Sequence, residues 1–361
     1  GDFESLITVR VEGGDPPDVA AWPQPGLMQD IADRGHIIDL NQWMDMEYLQ
    51  QQYDQSWLDL ASYGGIMAGV WYRASVKSLV WYPVPEFSEA GYEIPETWDE
   101  MLELSQQMVD DGNTPWSIGI ESSGATGWVA TDWLEDLMLR IHPPEVYDRW
   151  VEGELGFDSP EVREAMGIME NIWKNPDFVR GGTQSILTVP FGDAANPLFN
   201  EPPRAWLHRQ ASFIPAFFPD GAQVGEDVDY FYLPPITEDS GGVGGRPVLG
   251  AGDMFSAMQD KPEVAAVMRW LTTGESTRGW LEQGGFVSPH KDTPLDWYPT
   301  DVDRGYAEIL QNATVFRFDA SDLMPGQVGT GAFWTGMVDW VNGAPLDEVL
   351  PAIDEAWPEE E

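Results

Sequence analysis

Trp22 and Gln24 stand on AWPQPG, a turn carrying two prolines just after the apolar run DVAAW. A tryptophan face and an amide fork are the groups that hold a sugar, which shows an apolar face of C–H groups and a rim of hydroxyls. The same pairing of ring and polar group recurs at Trp128 with Asp132, and at Trp334 near Asp322. Asp193 in FGDAANP, and His208 with Gln210 in WLHRQASF, are further candidate polar partners. Lys77 is one of only four lysines and opens the strand-like run VKSLVWY. It can point into a cleft and donate to hydroxyls, or cap a structural carboxylate. The chain has 18 tryptophans, and each can instead simply pack the core.

Other chemistries find little support. The four histidines are scattered, with no HExxH and no calcium-loop pattern, so no metal site and no cofactor is expected. Without cysteine the chain forms no disulfide and no thiolate site. GGVGG lacks the Lys and Ser/Thr of a phosphate loop and reads as a turn. There is no GxSxG elbow. A glycosidase needs only two carboxylates at the right separation, and 62 acidic residues leave that reading open.

Composition bounds the partners. A chain of 361 residues with 42% apolar content folds around a large core, and its length suits two domains. A formal net charge of -44 opposes binding to nucleic acid or to an anionic membrane. The same excess suits life in high salt, where screening removes much of the self-repulsion. No stretch is apolar for 18 residues. The first residues, GDFESLITVR, carry neither an initiator methionine nor a signal peptide, so an upstream portion is expected.

The elements that must position these groups alternate between strand and helix, which predicts an α/β protein. FESLITVRVE has helical spacing and DVAAW reads as a strand. LMQDIADRG is a short helix, and IIDLNQWM an edge or loop segment. GIMAGVWYRASVKSLVWYP holds two strands ended by prolines. Thr97 and Glu100 form a capping box on the helix that Gly112 closes, and Ser159 caps another. WSIGI reads as a strand, ATDWLEDLMLRIH as a helix, residues 238–245 as a glycine-rich turn, and PVLGAGDMFSAM as a strand again. Helices follow at residues 262–283 and 302–311.

The segments GGDPPDVAAWPQPG, VKSLVWY, GYEIPETWDEM, PWSIGIESSGATGWVATDWLEDLMLR, FGDAANPLF, HRQASFIPAFFP, GGFVSPHKD and DLMPGQVGTGAFWTGMVDWVNG occur in order along the chain. Together they resemble the extracellular solute-binding proteins of ABC sugar importers, in particular the α-glucoside-binding group. The resemblance implies the two-lobed periplasmic binding fold of the maltose-binding type, with a sugar held between the lobes. On this basis lobe 1 takes residues 1–114 and 246–292, lobe 2 takes 115–245 and 293–361, and the hinges fall near 112–117 and 240–248. The loop matching AWPQPG would face the cleft, bringing Trp22 and Gln24 to the sugar. Lys77 would stand where maltose-binding relatives carry a cleft glutamate, with Trp334 and Asp193 on the opposing lobe.

The family normally begins with a strand, a helix and a strand ahead of the segment matching GDFESL. An N-terminal part of lobe 1 is therefore expected upstream. The function implied is non-catalytic capture of maltose, trehalose, sucrose or glucosylglycerol by a monomer, and delivery to the permease subunits of an ABC importer. Such proteins work in the periplasm or at the cell surface, free or lipid-anchored. The alternatives are a carbohydrate-active enzyme with a carboxylate pair, and a receptor for an anionic sugar derivative.

Overall fold

The apolar runs around residues 70–83 and 247–257 become the strands on which both main sheets are built. The computed structural model describes residues 3–53, 55–236 and 246–358. At the centre of the first sheet lies the strand Pro247–Ala257. Val19–Trp22 pairs antiparallel with its C-terminal half, from Val19 opposite Ala257 to Trp22 opposite Met254. Val70–Val76 pairs antiparallel along the other side, from Val70 opposite Phe255 to Val76 opposite Gly250, with a bulge between Trp71 and Arg73. Val315–Phe318 joins the N-terminal half in parallel, from Pro247 to Gly250. In the second sheet Leu79–Pro83 lies between His208–Arg209 and Val228–Tyr232, antiparallel to both.

Two large cores flank the sheets, and a third cluster joins Ala74, Val76 and Val248 of the first sheet to Leu79, Trp81 and Val228 of the second. Trp22, Met28, Val70, Trp71, Met254 and Phe318 pack in one. Val80, Trp116, Trp133, Trp173, Leu249, Ala320 and Met337 pack in another. Among the described residues the chain passes between these two cores in the stretch from Trp71 to Val80 that includes Lys77, between Leu249 and Met254, and at Asp319. Hydrogen bonds lace these passages together. Lys77 N donates to the Leu249 carbonyl at 2.9 Å, and Asp319 N donates to that of Gly250 at 2.9 Å. Leu249 N in turn donates to Ser78 Oγ at 3.2 Å.

The division expected at residue 114 falls inside the second core. Trp98, Met101 and Met108, from the helix Trp98–Asp110, share that core with Trp116. Gly112 (φ 82°) stops this helix rather than opening a linker. Trp116 is fully buried and its indole donates to Ser105 Oγ at 3.0 Å. The glycine-rich turn expected at 238–245, and most of the hinge expected at 240–248, lie outside the described residues.

Local signals hold at the helix starts. Thr97 and Glu100 form the reciprocal capping box, and Ser159 Oγ accepts from Val162 N. WSIGI is extended but does not extend a sheet. Trp116 makes single bridges to Val179 and Leu207, and Glu121 one to Pro190. At Gly119 a Cβ would stand 2.5 Å from the Val189 carbonyl oxygen, so a loop backbone packs directly against the glycine's face. The helix Trp128–Ile141 is buried on nearly every side, yet carries Asp132, Glu135, Asp136 and Arg140. Such spacing puts the four on neighbouring helical rows, and buried charges there require partners.

Candidate functional site

Those partners meet where the passages cross. Lys77 follows directly on the strand Val70–Val76, and its bond to Leu249 fixes the backbone so that the side chain enters the interior. The Lys77 ammonium donates to Asp132 Oδ1 at 2.7 Å and also to Asp319 Oδ2. Asp319 Oδ1 accepts from Ser321 Oγ at 2.8 Å and from Asp322 N at 3.0 Å, capping the short helix Ala320–Leu323. Glu135 Oε1 accepts from Ser321 N at 3.0 Å. On the other side of the helix, Asp136 binds Arg140, Ser78 and Arg209.

Four carboxyl groups thus surround one ammonium. Burial disfavours the charge on Lys77, but the acids outweigh it and hold the group well above its ordinary range. Burial would also raise Asp319. Lys77 and the bonds from its neighbours reverse that and hold it below the usual carboxylate range. Asp132 is pushed up to about 7 by burial, with Lys77 opposing and Asp319 adding. Burial and then the Asp319 charge push Glu135 and Asp322 well up. Asp132, Glu135 and Asp319 each bring an oxygen within 4.8 Å of the others, the one such group among the described residues that could hold a metal. Lys77 already bonds two of the three, so a metal ion would have to displace the ammonium.

Above this cluster opens a cleft of about 490 Å³. Its lining includes the polar groups of Glu4, Gln24, Arg73, Ser75, Lys77, Ser122, Asp253, Asp319 and Asp322. Alternation along Val70–Val76 and beyond puts Arg73, Ser75 and Lys77 on the same side. Arg73 stands opposite Asp253 in the sheet and donates to its Oδ2 through Nε at 2.5 Å. The lining also includes the rings of Trp128, Phe191, Phe213, Phe217 and Trp334. Trp128 and Phe191 pack edge to face at 5.1 Å, as do Phe191 and Phe217 at 5.0 Å. The row ends at Lys77, whose ammonium lies 5.5 Å from the centre of the Trp128 ring. A larger hollow, of about 830 Å³, runs beside the outer edge of the second sheet and touches none of the candidate residues.

Of the ten candidates, Gln24, Lys77, Trp128, Asp322 and Trp334 line this cleft. Asp132 lies directly beneath it as a partner of Lys77. Trp22 is fully buried in the first core, edge to face with Phe3 at 5.4 Å, so the turn presents Gln24 and keeps the indole inside. Asp193 accepts from Asn196 at 3.3 Å, and only its neighbour Phe191 reaches the cleft. His208 is buried, with Nδ1 2.8 Å from the Ser117 carbonyl, and Gln210 is buried against its own chain through Ala211 N. Arg209, between them, is buried against Asp136 at 2.6 Å.

A family model described as bacterial extracellular solute-binding protein matches residues 1–278. The chain belongs to that family. Among curated members of the solute-binding family, the osmoprotective compounds-binding protein GgtB of Synechocystis sp. is 48% identical over 99% of this chain and 83% of its own. The alpha-glucosides-binding periplasmic protein AglE of Rhizobium meliloti is 44% identical over 99% of this chain and 79% of its own. The solved solute receptor AcbH superposes with a TM-score of 0.82 at 17% identity, over 98% of this chain and 86% of that one. The maltose-bound MalE3 of T. maritima superposes at 0.72 and 17% identity, covering 97% and 86%. The fold is thus the two-lobed α/β architecture of maltose-binding-type receptors. The family works outside the cytoplasm, and no helix among the described residues is long and apolar enough to cross a membrane.

Reading by motif missed Glu4, Arg73, Asp253, Asp319 and the phenylalanines of the cleft lining. For Arg73 the signal was present, because period-two spacing from Lys77 through Ser75 leads to it.

Proposed function

We propose that this solute-binding protein captures a small, uncharged α-glucoside in the cleft and hands it unchanged to the permease subunits of an ABC importer. The observation that carries this reading is that five aromatic rings and a set of hydrogen-bonding side chains line one cleft. Sugar rings stack on the first and their hydroxyls bond to the second. Gln24, Lys77, Trp128, Asp322 and Trp334 are the contacts retained from the sequence, with Arg73, Asp253 and Phe217 added. The relatives named for α-glucosides and for osmoprotective compounds support the ligand class. Maltose, trehalose, sucrose and glucosylglycerol all belong to it.

The protein acts as a monomer and performs no chemistry on its ligand. Asp319, the carboxylate nearest the cleft floor, is engaged by Lys77 and Ser321 and is poorly placed as a nucleophile. An anionic ligand is disfavoured because both cleft cations already have carboxylate partners. Closure bends the three passages at Lys77–Ser78, near Gly250 and at Asp319, so that the lobes part there instead of at residues 112–117. Isothermal titration with the four glucosides and glucose tests the reading. One-to-one binding with the sugar recovered intact is expected. Release of glucose from a disaccharide would establish an enzyme instead, and absence of binding across the panel would overturn the ligand class.

A further inference from the structure

Four carboxyl groups line the cleft, and three have protein donors. Glu4 accepts from Gln24 at 3.1 Å, Asp253 from Arg73, and Asp319 from Lys77 and Ser321. Among the described residues no donor meets the carboxyl of Asp322, whose backbone N–H alone is engaged, on Asp319. The group is nonetheless 7% exposed and borders the ligand space with Trp128 and Trp334. Every element around it contributes charge. Its own segment brings Asp319, and the helix Trp128–Ile141 brings Asp132 and Glu135. The first sheet brings Asp253 and its partner Arg73, and the passage beside it brings Lys77.

Lys77 is already shared between Asp132 and Asp319, and Arg73 is held by Asp253. Among the described residues no cation is left to balance a further negative charge in a confined space, where like charges drive one acid to keep its proton.

We propose that Asp322 holds the ligand as a neutral carboxylic acid, donating its O–H to a ligand hydroxyl or ether oxygen, so that binding takes up a proton at any pH where the free group has ionised. The inference rests on the sugar-binding reading of the cleft. It assigns the ligand an oxygen acceptor at this point, where an ionised aspartate would demand a donor. Entry of the ligand removes the remaining water from Asp322 and makes the charged form still less favourable. Proton uptake on binding and weaker affinity at higher pH both follow. The affinity stays constant while free Asp322 is protonated, then falls by up to about tenfold per pH unit once it ionises.

The experiment is titration of the whole protein with maltose from pH 5 to 9, in buffers of different ionisation enthalpy. The expected result is a binding enthalpy that changes with buffer and an affinity that falls toward alkaline pH. Asp322→Asn, which stays neutral, should give a flat profile and no proton uptake, whereas Asp322→Ala should weaken binding about tenfold. Wild-type binding that stays independent of buffer and pH across the range where free Asp322 releases its proton overturns the proposal but leaves the receptor reading intact. So does an Asn variant that loses affinity as fully as the Ala variant. Difference potentiometric titration of the free wild type and the Asn variant, both checked for cooperative melting, needs no ligand. Wild type should release one additional proton above pH 5. Release of that proton below pH 5 overturns the proposal whether or not maltose binds.

Discussion

Gly192 lies under the ring of Phe217, and a Cβ built on the glycine would stand 2.7 Å from the ring's edge. Phe217 is 45% exposed at the cleft and touches Phe191, so little but this contact fixes its position. Gly192→Ala displaces the ring with little cost to folding. Phe217→Ala removes it. Both variants should keep their denaturation midpoint within about 0.5 kcal/mol of wild type, while ligand affinity drops about three- to tenfold for the loss of one aromatic face. Wild-type affinity in both variants would show that Phe217 is a bystander at the cleft.

Lys77 holds acids from two separate segments of the second core. Lys77→Met leaves Asp132 and Asp319 buried without their cation, a loss of about 3 to 5 kcal/mol in chemical denaturation. The double variant Lys77→Met/Asp319→Asn should recover part of that loss, because one stranded charge disappears. Strictly additive losses would mean that the two residues do not interact energetically.

His208 offers a test against pH. Burial, joined by the charge of Arg209 and opposed by the Ser117 carbonyl, lowers its imidazole to about 4. The folded value lies below the unfolded value of about 6.5, so the histidine's contribution is present above that pH and is lost as pH falls toward 4. The full window is worth roughly 3 kcal/mol. Asp132, Glu135 and Asp322 work in the opposite sense, being raised in the folded state, so the comparison must be a difference. His208→Asn keeps a donor near Ser117 and should lose less stability than wild type between pH 6.5 and 4. Parallel stability curves would place the acid sensitivity elsewhere.

The formal charge of -44 makes the compact state self-repulsive. Raising potassium chloride from 0.1 M to 2 M shortens the screening length from about 10 Å to a few ångströms. The melting temperature is therefore expected to rise with salt. A melting temperature unchanged or lowered by salt would remove the adaptive reading of the composition.

Much of the fold was legible because local signals agreed with one another. The capping box at Thr97 and Glu100, the cap at Ser159 and the proline-ended strands all depend on neighbours within a few residues. The cleft was legible where the chain alternates or repeats a ring beside a polar group, as at Trp128 and Trp334. Trp22 differed because an aromatic beside prolines looks alike whether its ring turns outward or is folded back against Phe3. Burial of that kind depends on residues distant in sequence. Asp253 and Asp319 were hidden among 62 acidic residues, and only a cross-strand partner or a lysine from far away distinguishes them. The expected break at residues 112–117 rests on a related ambiguity, since the glycine that ends a helix is the same residue type that opens a linker.

A body tied to another by one strand can swing in any direction. Here three strands of chain cross side by side, fastened to each other at Leu249, Gly250 and Ser78. On the closure proposed above, such a joint would fold about the line through its straps and resist twisting or sliding, and the two sides of the cleft would meet in only one alignment. Ligands differing in length but not in width would be sorted by how far the joint can travel before the sides touch.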